Sequence, residues 1–285
     1  MLLNELKNVM YCSLWHVSDD NQYKRMQTET INLQQLLPVV EGWAREAGAI
    51  HFSYFRKKDL AVDTKANDYD VVTKADKESE RLIISRIKER FPHHSILAEE
   101  SGESSGGDRW QWVIDPLDGT TNFSQGLPLF CVSIALQYDG VPQLGVVFAP
   151  YLDEMYSAVR GCGATLNGKP VNCPPKNRLA EAVVTTGLPV SRHENPDNNL
   201  DNFARVAVEV RGVRLRGSAA LDLCYTAAGF LDGFWEMDLH LWDIAAGALI
   251  AEEAGADVVY FRPERPYSIL VASPTLTPRL SALIR

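Results

Sequence analysis

Trp112-Val113-Ile114-Asp115-Pro116-Leu117-Asp118-Gly119-Thr120-Thr121-Asn122-Phe123 runs from an apolar β-like segment into a turn that carries two carboxylates three residues apart. Pro116 stiffens the turn and has no N–H to donate, while Gly119 lets backbone come close to a ligand. Thr120 and Thr121 follow with hydroxyls and N–H groups where a helix can start, which suits an anion. Taken alone, two acids in D-x-x-D read as an Asx-type turn or a helix cap.

Two further acidic clusters alter that reading. Glu99-Glu100 follows the β-like run 95–97, and Trp242-Asp243 opens a helical run that continues Ile-Ala-Ala to Gly247. Separately, the glutamates read as solvated surface and Asp243 as an N-cap. Together, acids at the ends of distinct core elements are what a two-metal phosphoryl-transfer site requires. Magnesium takes oxygen ligands and keeps several waters, so a few carboxylates suffice. Zinc is disfavoured, because the histidines lack H-x-x-x-H or H-E-x-x-H spacing and the five cysteines form no C-x-x-C.

Outward from this centre, Leu36, Val40, Trp43, Ala47, Ile50 and Tyr54 recur at steps of three and four and predict an amphipathic helix to about Phe55. The polar stretch 56–72 reads as an exposed excursion or hairpin. Thr73 and Asp76 have capping-box spacing, and Leu82, Ile83, Ile84 and Ile87 give the next helix a buried face before Phe91-Pro92 stops it. β-like runs at 95–97, 112–114, 130–137 and 144–148, with turns at Asp139-Gly140 and Asn167-Gly168, predict a largely antiparallel sheet. Past residue 178 the runs alternate: β-like 182–185, 233–236, 257–260 and 268–272, and helical 199–210, 219–231 and 243–254. The expected organisation is an extension over 1–28, an α+β subdomain over 29–177 holding most metal ligands, and an α/β subdomain over 178–285 contributing Asp243 and substrate contacts.

The 285 residues are 46% apolar and 23% charged, as in a soluble globular protein, and suffice for one large core or two close ones. The net charge of −9 argues against non-specific binding to nucleic acid or membrane surfaces. Scattered cysteines and a leader without an apolar run fit reduced thiols in the cytoplasm.

The blocks Asp76, Glu99-Glu100, Asp115-Pro116-Leu117-Asp118-Gly119-Thr120 and Trp242-Asp243 to Gly247 resemble, in order, the pattern of the inositol monophosphatase family. Ala98 departs from it, where many members have Gly. The resemblance implies an α+β fold, the layered αβαβα sandwich of sugar phosphatases, and hydrolysis of a small polyol phosphate, foremost myo-inositol monophosphate. It implies two or three Mg2+ ions held by Glu99, Asp115, the Leu117 carbonyl, Asp118 and Asp243, with Asp115 bridging. Glu99 and Thr120 would orient the attacking water, and Asp76 would support Thr120. Gly119 and Thr120 would donate N–H to phosphate, while Asp118, Ser218, Ala219, Glu236 and Asp243 would contact the substrate. Lys65 matches a mobile loop near the metals. A homodimer and lithium inhibition that varies with magnesium are also implied. Fructose-1,6-bisphosphatase, histidinol phosphatase and 3′(2′),5′-bisphosphate nucleotidase share these blocks, and a regulatory binding protein, for instance of a transcription complex, is the rival of another class.

Overall fold

The computed structural model describes residues 31–57, 62–64, 71–262 and 267–285. Its helices are α1 (Leu33–Tyr54), α2 (Lys74–Arg90), α3 (Thr120–Ser124), α4 (Leu200–Ala207), α5 (Ala219–Ala227), α6 (Leu241–Glu253) and α7 (Thr277–Ser281). A short antiparallel pair, β1 (Val62–Thr64) and β2 (Val71–Thr73), precedes α2. The larger sheet holds β3 (Ser95–Ala98), β4 (Gly102–Ser104), β5 (Trp110–Asp118), β6 (Cys131–Tyr138), β7 (Val141–Ala149), β8 (Glu154–Val159), β9 (Ala164–Leu166) and β10 (Lys169–Val171), in the order 10-9-8-7-6-5-3-4. The smaller holds β11 (Val183–Thr186), β12 (Gly212–Arg214), β13 (Gly233–Leu239), β14 (Asp257–Tyr260) and β15 (Tyr267–Ala272), in the order 12-11-13-15-14.

These elements stack in five layers. α1 and α2 cover one face of the larger sheet through Leu36, Val40, Trp43, Ile83 and Ile87, which meet Trp112, Ile114 and Ile134. On the other face, Val113, Ala135 and Val147 pack on α5 and α6, whose far sides meet Phe234, Ile269 and Val271 of the smaller sheet. Trp235, Leu270 and Ala272 then close on Val206 of α4 and Leu280 of α7. The result is the expected αβαβα sandwich. Its middle layer is apolar nearly all round: Ile244 to Ala251 of α6 are buried without interruption, as a helix between two sheets requires.

Small residues set the spacing of that layer. A methyl group on Gly145 of β7 would lie 2.8 Å from the carbonyl oxygen of Ala246 in α6. One on Gly247 would lie 2.8 Å from Leu223 Cβ in α5.

β5 explains how the quoted stretch works. In a flat strand, residues three apart point to opposite faces. Here Asp115 pairs with Ser133 and Asp118 with Cys131, so three steps on β5 face two on β6, a bulge. The extra residue turns both carboxylates to one side, and Pro116 is tolerated because a bulge needs no ladder bond from it.

Several expectations differ in detail from the structure. β3 and β5 run parallel, because the connection through β4 returns the chain to the same end. The strands β4, β9, β10 and β12 have three residues each, too few for a period-2 pattern to stand out, and β8 is buried along nearly its whole length and so does not alternate. α5 ends at Ala227, four residues before the expected limit, and Asp243 is the third residue of α6 rather than its N-cap, which is His240. The leader 1–28, Lys65 and most of the polar stretch around it lie outside the described residues.

Candidate active site

Asp115 is 2% exposed and Asp118 8%. Burial, then the charges of Glu99, Asp118 and Asp243, push the Asp115 carboxyl well above the carboxylate range, and Glu99 shares a hydrogen bond with it. Burial also pushes Asp118 up to about 7, against the pull of the Ser218 hydroxyl, with Asp243 adding to the rise. Acids from β5, the loop after β3 and the first turn of α6 therefore face one another at the edge of the middle layer.

Each is held by local donors. Asp115 Oδ1 accepts from the Leu117 N–H at 2.9 Å. Asp118 Oδ2 accepts from Ser218 Oγ at 2.5 Å and the Ala220 N–H at 2.9 Å. Asp243 Oδ2 accepts from the His240 N–H at 2.6 Å. With the oxygens so directed, no three His, Cys, Asp or Glu side chains form a closed metal-holding group among the described residues. The donor set nevertheless fits a hard cation: oxygens only, buried or half-buried, and of one sign, so that a divalent ion would relieve their repulsion.

Beside this cluster, Thr120 Oγ1 lies 3.0 Å from Asp76 Oδ1 and 2.9 Å from the Leu117 carbonyl. Asp76 is fixed by the capping box, its Oδ2 accepting from Thr73 N–H at 2.9 Å and from Thr73 Oγ1 at 2.5 Å. Burial raises its carboxyl to about 6. Gly119 opens α3 with φ 90°, and a Cβ there would lie 2.9 Å from the Leu129 carbonyl oxygen, so both conformation and space demand glycine.

The opposite wall comes from the second half of the chain. Asn122 Nδ2 ties α3 to it, donating to the carbonyls of Arg216 at 2.6 Å and Leu129 at 2.8 Å. Ser218 and Ala219 start α5, 3% and 7% exposed, and the Ser218 hydroxyl is spent on Asp118. Glu236, half-buried on β13, is raised well above the usual range by burial and by Asp222, Asp243 and Asp118.

Sequence reading passed over two supporting residues. Asp222 of α5 is buried, accepts from Thr185 Oγ1 at 2.9 Å and pairs with Arg216 at 3.2 Å. His51 is buried with Nε2 3.0 Å from the Pro116 carbonyl, and burial lowers its ring to about 3, so it is neutral and donates there. A charged residue inside the apolar run Ala219-Ala-Leu-Asp222-Leu was a legible signal. His51 on the apolar stripe of α1 gave none.

The family model described as the inositol monophosphatase family matches residues 32–284. The Nus factor SuhB of Vibrio cholerae is 41% identical over 236 residues, 81% of this chain and 88% of that protein. The inositol-1-monophosphatase of Synechocystis is 41% identical over 228 residues, 80% and 79% of the two chains. The solved inositol monophosphatase of Anabaena (Nostoc) superposes with a TM-score of 0.78 at 39% identity, covering 89% of this chain and 96% of that one. Fold and sequence together define a phosphoric monoester hydrolase with the layered sandwich of the sugar phosphatases. The chain belongs to the inositol monophosphatase family. Among the described residues no helix is long and apolar enough to cross a membrane.

Proposed function

We propose that this protein hydrolyses a small polyol phosphate monoester, myo-inositol monophosphate first among them, with magnesium. The observation that carries the reading is the cluster of buried Asp115 and Asp118 with half-buried Glu99 and Asp243 beside the Thr120–Asp76 pair. Glu99, Asp115, the Leu117 carbonyl, Asp118 and Asp243 would hold the ions. When bound, magnesium supplies Lewis acidity, acidifies water and neutralises charge on phosphate oxygens in an in-line displacement.

The chain's own groups do the positioning. Donating its hydrogen bond to Asp76, the Thr120 hydroxyl offers lone pairs to a water and orients it together with Glu99. Backbone N–H of Gly119 and Thr120 donate to phosphate. Asp118, Asp243, Glu236 and the Ser218–Ala219 corner face the polyol. No nucleophilic side chain is required. The test is phosphate release over inositol, sugar, histidinol and nucleotide phosphates with added magnesium; preference for a bisphosphorylated substrate would overturn the assignment.

Glu236 selects the substrate in this scheme. Glu236→Gln should raise KM for inositol phosphate about tenfold with little change in kcat, because the lost bonds are equal in ground and transition states. Hydrolysis of p-nitrophenyl phosphate, which lacks the hydroxyls, should be nearly unchanged. A large kcat loss on both substrates would sink this division of labour.

A binding role beside hydrolysis is the second reading, favoured by the likeness to the Nus factor SuhB of Vibrio cholerae. Whether an inactive variant still supports growth where the gene is needed separates the two.

A further inference from the structure

β13 delivers Glu236, but what fixes the position of its carboxylate lies on the neighbouring strand. Gly187 directly follows β11. A Cβ built on it would lie 2.5 Å from Glu236 Oε2 and closer still to Oε1 and Cδ, inside any permitted contact. Gly187 is not among the residues with positive φ, so its backbone does not require glycine. What it supplies is the room that the carboxylate occupies.

The strand end at Gly187 is itself pinned. Thr186 pairs with Trp235, the residue before Glu236, and its hydroxyl donates to the Trp235 carbonyl at 2.5 Å. Asn199, 2% exposed, uses its whole side chain on the same joint. Its Nδ2 donates to Thr186 Oγ1 at 2.9 Å and to the Gly187 carbonyl at 2.7 Å, and its Oδ1 accepts from Trp235 Nε1 at 2.8 Å. The three bonds hold Gly187 and Glu236 in one relation, and a saturated buried amide is costly to break.

We infer that Gly187, locked by Asn199, is a specificity-determining position: the missing side chain sets where Glu236 meets the hydroxyls of a polyol phosphate. The inference rests on the polyol reading of Glu236 above. Because a new methyl would first meet the free end of the Glu236 side chain rather than backbone, substitution moves the carboxylate and leaves the fold.

The test is steady-state kinetics on inositol phosphate and p-nitrophenyl phosphate, with thermal unfolding as the fold control. Gly187→Ala should raise KM for inositol phosphate about tenfold with the melting temperature unchanged, and leave p-nitrophenyl phosphate within about twofold. In a Glu236→Ala background, where nothing remains to displace, Gly187→Ala should add no further rise. Asn199→Ala should lower the melting temperature and raise the same KM, with kcat for p-nitrophenyl phosphate retained. An equal KM rise in the Glu236→Ala background, equal losses on both substrates, or no effect of Gly187→Ala would overturn the inference. Should Glu236→Ala alone leave KM unaltered, the polyol reading fails and this inference with it. A normal Glu236→Ala effect with a silent Gly187→Ala defeats the inference alone.

Discussion

Asp115→Asn should lower kcat at least about a thousandfold while leaving the fold intact. Asp115 is the most buried of the clustered acids and feels the charges of Glu99, Asp118 and Asp243 at once, so it is the group whose anionic form the cluster holds least willingly. A neutral amide keeps the shape, and its oxygen can still accept from the Leu117 N–H. It removes the charge that would draw two cations together. Without metal, the variant should unfold at the same temperature as the parent or higher, since one repelling charge is gone. Circular dichroism and phosphate release decide it. A tenth of the parent's rate would remove Asp115 from the bridging role.

Stripping divalent ions should abolish turnover to a similar degree, with recovery on adding magnesium. The carboxylates give this a pH signature. Burial holds Asp76 at about 6 and Asp118 and Asp222 at about 7, all above their unfolded values. For an acid raised in the fold, the folded state binds the extra proton. Its stabilising contribution is full below the unfolded value of ~4 and is lost as pH rises through the folded one. Metal-free protein should therefore melt at progressively lower temperature from about pH 5 to pH 7.5. Magnesium should raise the melting temperature most at the upper end, where protons no longer compete for the oxygens, and proton release should accompany binding near neutrality. Activity that survives exhaustive chelation, or a melting temperature that climbs with pH in the metal-free protein, would defeat the cation site.

The readable parts of the fold were those with a long period. The stripe of α1 and the apolar run of β5 stood out because each repeats enough to outweigh local accidents. The hairpin turns at Asp139-Gly140 and Asn167-Gly168 were legible because all four residues take positive φ, which few residue types tolerate. Strands of three residues left no period to detect. In the site, Asp76 was legible twice, as a capping partner and as a family position, and it performs both bonds at once. Ser218 was read only as a contact for substrate, since no spacing rule reveals that its hydroxyl would be taken by Asp118, one hundred residues earlier in the chain. The support of Pro116 by His51 was hidden for the same reason: the partner sits on a helix 65 residues earlier in the chain, and its burial, not its type, assigns the job.

The glycines of the middle layer act as a gauge block. Gly145 lets α6 rest directly on β7, and Gly247 lets α5 rest on α6. Asp243 rides on α6 and Asp115 on the sheet beneath, so the gap between these acids is a thickness, fixed by apolar contacts about one turn along α6 from Asp243. A single methyl inserted as a shim at Gly145 would lift Asp243 off Asp115 without touching either. The spacing of the charged oxygens thus depends on residues that carry no charge and lie outside the acidic cluster.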